Sequence, residues 1–116
     1  MRDIQRIIQE SVPGKQITLA HIIANPDGAL CRSLGIDAAK PTRSAIGVMT
    51  ITPAETAIII ADIAIKTSGA DIVSIDRVNG SLIIAGTVSE VEAAVCAIIA
   101  YVGEKLGFSV CDITRT

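Results

Sequence analysis

Asn79-Gly80 sits between two β-rich runs, Asp71–Asp76 and Ser81–Val88, and is the strongest short hairpin signal in the chain. It constrains the fold because of what flanks it. Upstream, Thr52-Pro53-Ala54-Glu55 has the form of a capping box. Thr52 can accept from a backbone N–H three residues on, Glu55 can reach back to the N–H of Thr52, and Pro53 stands at the first helical position, where no donor is lost. Ser89-Glu90-Val91-Glu92 repeats the device 89 − 52 = 37 residues later. Each box follows a β-rich run, Ala45–Ile51 or Ser81–Val88. Each helix then closes near a glycine, Gly69 or Gly107, and leads into another β-like run, Asp71–Asp76 or Phe108–Ile113. The pattern predicts β–α–β, hairpin, β–α–β: an α/β (α+β) domain of ferredoxin-like form, with an open antiparallel sheet and two helices on one face.

The helices carry more apolar surface than one sheet face requires. From Glu55 to Lys66 the chain is almost entirely Ile and Ala, with Glu55, Asp62 and Lys66 on one stripe and Asp62 and Lys66 spaced i,i+4 in the favourable order. The second helix, Glu90–Lys105, presents a wide face of Val91, Ala94, Val95, Ile98 and Val102. A second buried surface, between subunits, follows from this excess. Composition agrees, since half of the 116 residues are hydrophobic and only 2% aromatic, leaving little to stack on bases or sugars. A net charge of −2 gives no nucleic-acid footprint, and no apolar run approaches the ~18–20 residues of a membrane span. No nucleic acid or membrane partner is expected. The polar N-terminus does not read as a signal peptide, and Cys31, Cys96 and Cys111, odd in number and without a CxxC pair, read as reduced thiols of a cytoplasmic protein.

The N-terminal third is additional to this unit. Gln16–Ala24 reads as a strand, Asp27–Leu34 as a short helix capped by Asn25 or Asp27 and stopped by Gly35, and Ile36–Arg43 as a loop. Both Gln16–Ala24 and Phe108–Ile113 qualify for the fourth position of the sheet. Asp3–Glu10 fits a helix by the spacing of Ile4, Ile7 and Ile8 and a strand by its β-branched content; alone it buries little and needs a partner.

The chain shows no active site. The only histidine, His21, lies in the predicted strand; a triad with Ser11 or Ser44 and Asp27 is conceivable, but no nucleophile elbow surrounds these residues. Asp76-Arg77 reads as a solvated turn pair. No glycine-rich phosphate loop and no metal-ligand spacing is present, so neither a cofactor nor a metal is expected.

Four stretches, "RIIQESVPGKQITLAHIIANP", "SAIGVMTITPAETAIIIADIAIK", "SIDRVNGSLIIAGTVSEVE" and "CDITRT", together resemble bacterial microcompartment shell proteins. The likeness is to the circularly permuted, single-domain subgroup of ethanolamine- and propanediol-utilisation compartments. It implies a non-catalytic, cytoplasmic shell tile that assembles as a homohexamer with other shell proteins, with encapsulated enzymes as further partners. Choline compartments use similar tiles. It further implies that Gln16–Leu34 corresponds to elements placed C-terminally in ordinary shell subunits. Residues 1–12 would then be a pore-capping segment, and residues 13–116 the permuted domain. In that segment Ile4, Gln5, Arg6, Ile7, Ile8 and Gln9 would join five symmetry mates as a small β-barrel over the central pore. Lys66 corresponds to the lysine at the tiling edge, and Arg77, Val78, Asn79, Gly80 and Ser81 to the loop lining the pore. Val78 departs from the usual aromatic, and the loop Asp37–Ser44 is longer by Lys40-Pro41. The competing reading from the fold class is a small-molecule-binding regulatory module.

Overall fold

The structure, a computed structural model, describes residues 14–36 and 44–116. Its sheet has five strands in the order β3-β4-β2-β1-β5: β1 Gln16–Ala24, β2 Ala45–Thr52, β3 Asp71–Asp76, β4 Ser81–Gly86 and β5 Thr114–Arg115. The expected hairpin joins β3 to β4. The position beside β2 belongs to β1, which pairs antiparallel from Gln16↔Thr52 to Ala24↔Ala45. Phe108–Ile113 is not a strand; it runs alongside β1, bridged in parallel at Gln16↔Ser109, and only Thr114–Arg115 forms a paired strand, parallel to β1. The sheet is therefore mixed at that edge rather than wholly antiparallel.

Among the described residues three helices cover it: α1 Gly28–Ser33, α2 Thr56–Thr67 and α3 Val88–Glu104. The two long helices share one face, as the pattern predicts. Their buried residues, Ile60 of α2 and Val91, Val95, Ile98 and Val102 of α3 among them, meet Ile22, Met49, Leu82 and Ile84 of the sheet in the main core. All five residues assigned to the inner face of α3 are buried. Gly47 on β2 permits the close approach of α3. A Cβ there would stand 2.9 Å from a side-chain carbon of Ile84 and 3.0 Å from one of Val91, tighter than core atoms sit. On the opposite face α1, capped by Asp27 through a 2.8 Å bond to the N–H of Ala29, buries Cys31, with Ile36 just beyond, against Ile46 and Ala85.

Both helix starts differ from the predicted boxes. Thr52 is the last residue of β2, paired with Gln16, and is spent there. The chain turns through Pro53 and Ala54, whose carbonyls accept from Thr56 and Ala57, and α2 begins after Glu55 with no side-chain cap. At α3 the box is real but two residues earlier. Thr87 Oγ1 accepts from the N–H of Glu90 at 3.1 Å, and Glu90 Oε1 accepts from the N–H of Thr87 at 2.9 Å. Ser89 already lies inside the helix.

Candidate assembly and pore surfaces

Lys66 lies in the last turn of α2, exposed, with its Nζ 2.9 Å from the carboxylate of Asp62. Helical periodicity puts Ile58, Ile59, Asp62, Ile65 and Lys66 on one arc, while Ala57, Ile60, Ala61 and Ala64 face the core. The three isoleucines of that arc are 50%, 46% and 57% exposed. Sequence reasoning had an apolar excess on this helix but no means of saying which isoleucines stay outside. Facing the sheet fixes that.

The hairpin turn 77–80 is built stiffly. The Asp76 carboxylate accepts from the N–H of Val78 at 3.0 Å, the N–H of Asn79 at 2.9 Å and the Nδ2–H of Asn79 at 2.9 Å. These donors, with those of Asn79 foremost, hold the acid below its ordinary pKa of 3.8. Asp76 therefore serves its own turn rather than pairing with Arg77 as a site. Gly80 is buried at φ +82°, and its carbonyl accepts from Ile51 N–H at 2.8 Å; a Cβ would run into the carbonyl oxygen of Ile51. Arg77, Val78 and Asn79 project outward, and Ser81 opens β4 opposite Thr50.

His21 is bound, not free: Nδ1 lies 2.6 Å from Thr114 Oγ1 and Nε2 2.9 Å from Thr116 Oγ1. Its two nitrogens anchor the C-terminal strand, and neither Ser44 nor Asp27 is among its partners. Arg115 adds an ion pair to Glu92 of α3. This clasp was missed in the sequence, where the only signal is the period-2 pair of hydroxyls in "TRT", which has no meaning until β5 is laid beside β1. Cys31 is buried, and burial pushes the partly covered Cys111 thiol up in pKa. No group of acidic, histidine or cysteine side chains among the described residues could hold a metal ion, and no described helix is long and apolar enough to cross a membrane. The segment containing Ile4, Gln5, Arg6, Ile7, Ile8 and Gln9 and the loop residues 37–43 lie outside the described residues.

A stiff hairpin tip and an exposed apolar helix arc are surfaces suited to assembly. The model of the BMC domain matches residues 45–114, from the first residue of β2 to the start of β5. The chain belongs to the BMC-domain family. The shell protein EutS of Salmonella typhimurium is 46% identical over 112 residues, covering 97% of each chain. The shell protein CutR of Streptococcus intermedius is 50% identical over 113 residues, covering 97% of this chain and 94% of CutR. A CutR structure, solved as a flat hexamer, superposes with a TM-score of 0.83 at 49% identity, over 96% of this chain and 99% of that one. These BMC-domain relatives are structural shell proteins rather than enzymes. The region matched by the domain model leaves β1 and α1 ahead of it, at the N-terminal end.

Proposed function

We propose that this chain is a non-catalytic tile of a bacterial microcompartment shell, assembling as a homohexamer alongside other shell proteins. The carrying observation is the near full-length likeness to a subunit solved as a flat hexamer. The exposed Ile58–Ile65 arc with Lys66 is assigned to the edge between tiles, and the 77–81 hairpin to the pore. Circular permutation is supported by β1 and α1 preceding the stretch matched by the domain model while β1 fills an interior sheet position, between β2 and β5. On this reading residues 13–116 are the permuted domain and residues 1–12 a pore cap. In the cap, Ile4, Arg6 and Ile8 alternate with Gln5, Ile7 and Gln9 around a narrow barrel. Encapsulated enzymes are further partners under this proposal.

Native mass measurement tests the assembly: a hexamer is expected, and a monomer or dimer persisting at micromolar concentration overturns it. Deleting residues 1–10 should leave the hexamer intact and its β4 amides protected, since the sheet and helices lie outside the deletion. Loss of the hexamer would show the segment to be part of the subunit interface instead.

A further inference from the structure

We propose that Asn79-Gly80 is a latent deamidation site and that Asp76 is the residue that keeps it closed. An asparagine followed by glycine meets little steric resistance to this reaction, because glycine has no Cβ beside the amide nitrogen that attacks. The Gly80 nitrogen adds to Cγ of Asn79 as its proton passes to water. The Cγ–Nδ2 bond then breaks, the leaving nitrogen takes up a proton and departs as ammonia, and a cyclic succinimide remains. Water opens that ring at either carbonyl carbon. Cleavage of the bond from Gly80 N to Cγ gives aspartate. Cleavage of the bond to the backbone carbonyl carbon gives isoaspartate, whose main chain runs through the former side chain.

Asn79 is exposed, so water reaches it; what opposes the reaction is the turn. Asp76 holds both reacting groups. Its carboxylate takes the Asn79 side chain, whose Nδ2–H donates to Oδ2 at 2.9 Å, and fixes the Asn79 backbone, whose N–H donates to Oδ1 at 2.9 Å. Its carbonyl takes the attacking nitrogen, since the Gly80 N–H donates to it at 2.7 Å and so keeps its proton in place. Ring closure also moves Gly80, which is buried and accepts from Ile51 N–H at 2.8 Å. The three donors that lower the pKa of Asp76, Asn79 foremost, keep its carboxylate ionised at neutral pH and above. Deamidation therefore proceeds only from an opened turn, whose population these bonds set. Each conversion would bring a second carboxylate beside Asp76 or insert a methylene into the main chain of the tip. On the pore reading above, that alters the charge of the pore lining; the chemistry itself belongs to a single chain and does not depend on assembly.

The test ages full-length protein at mildly alkaline pH and reads, by mass spectrometry of the peptide spanning the tip, how fast Asn79 becomes aspartate or isoaspartate. The samples are folded wild type, wild type in denaturant, Asp76→Ala and Asp76→Ser, with amide exchange in β4 reporting whether the hairpin stays folded. Folded wild type should react at least about tenfold more slowly than the denatured chain. Asp76→Ala should react roughly tenfold faster than folded wild type while β4 stays protected, the scale expected when hydrogen bonds to a charged acceptor are lost. Asp76→Ser, which keeps a single acceptor oxygen, should fall between them, and it decides the matter if Asp76→Ala loses β4 protection. Folded wild type reacting at the denatured rate overturns the closed site. A folded Asp76 variant reacting as slowly as wild type overturns the role of Asp76.

Discussion

The two long helices do the same work inward and opposite work outward. Both α2 and α3 bury aliphatic side chains against one sheet face. Outward, the middle of α3 shows small residues, Ser89, Ala93, Cys96 and Ala100, with the large side chains Val88 and Tyr101 exposed only towards its two ends, and part of its flank is covered by the chain's own tail. Arg115 pairs with Glu92, and Val110 lies so near Gly103 that a Cβ there would be 3.4 Å away. Helix α2 shows three half-exposed isoleucines, and its Lys66 pairs with Asp62 of the same helix. The tail finishes the surface of α3; nothing in the same chain, among the described residues, finishes that of α2. Under the proposed function, the α2 arc is the surface left for another copy. The three isoleucines offer far less than the ~800 Å² per partner of a standard interface, which suits many weak tile-to-tile contacts better than one strong dimer.

The sharpest way to break this comparison is to truncate isoleucines on the two sides of α2. Ile60→Ala and, on α3, Ile98→Ala remove fully buried side chains. Each should lower subunit stability by roughly 2–5 kcal/mol in chemical denaturation, because the cavity adds to the lost transfer energy. Ile65→Ala and Ile59→Ala should change it by less than about 0.5 kcal/mol, as surface substitutions do, while impairing sheet or tube formation. If Ile65→Ala costs as much as Ile60→Ala, α2 has no free face and the contrast fails.

A smaller effect separates the helix starts. Thr87→Ala deletes the hydroxyl that caps α3 and should cost about 1 kcal/mol. Glu55→Ala should be nearly neutral, since Glu55 makes no capping bond. Equal losses in thermal or denaturant unfolding would mean that α2 has a cap after all.

How much of this could be read beforehand depends on the range of the interaction. The hairpin, α1 (with Asp27 as one of two candidate caps, beside Asn25), the inner face of α3 and the Asp62–Lys66 pair are local patterns, and all were legible. The helix starts were legible in kind but not in place. Thr52 satisfies the local capping signature equally well, and only its pairing with Gln16, 36 positions away in sequence (52 − 16), takes it into the sheet. The fourth strand position had two claimants that local pattern cannot rank. It is settled by long-range registry: β1 pairs with β2 from Gln16 to Ala24, and the tail is left to join β1 through one bridge at Ser109 and the short strand Thr114–Arg115. The His21 clasp depends on that same registry and was invisible for the same reason.

The smallest expected effect on the subunit carries the most information about the tile. Lys66 and Asp62 are both exposed, so water screens their attraction and the pair contributes only about 0.3–0.5 kcal/mol. Lys66→Ala should therefore leave the unfolding midpoint almost unmoved and the hexamer whole in native mass measurement. Tiling is another matter, because a small loss at each of the edges of every tile is multiplied across an array of weak contacts. Extended sheets or tubes seen by electron microscopy should be sharply reduced, and raised salt should weaken the wild type in the same direction, since screening acts on the same charge. Asp62→Asn, which frees Lys66 without removing it, sharpens the assignment: if the lysine engages a neighbouring tile, assembly should survive this change far better than Lys66→Ala. Hexamers that dissociate in Lys66→Ala would put this arc inside the ring rather than on its rim, and α2 rather than the tile edge would then be the seam between subunits.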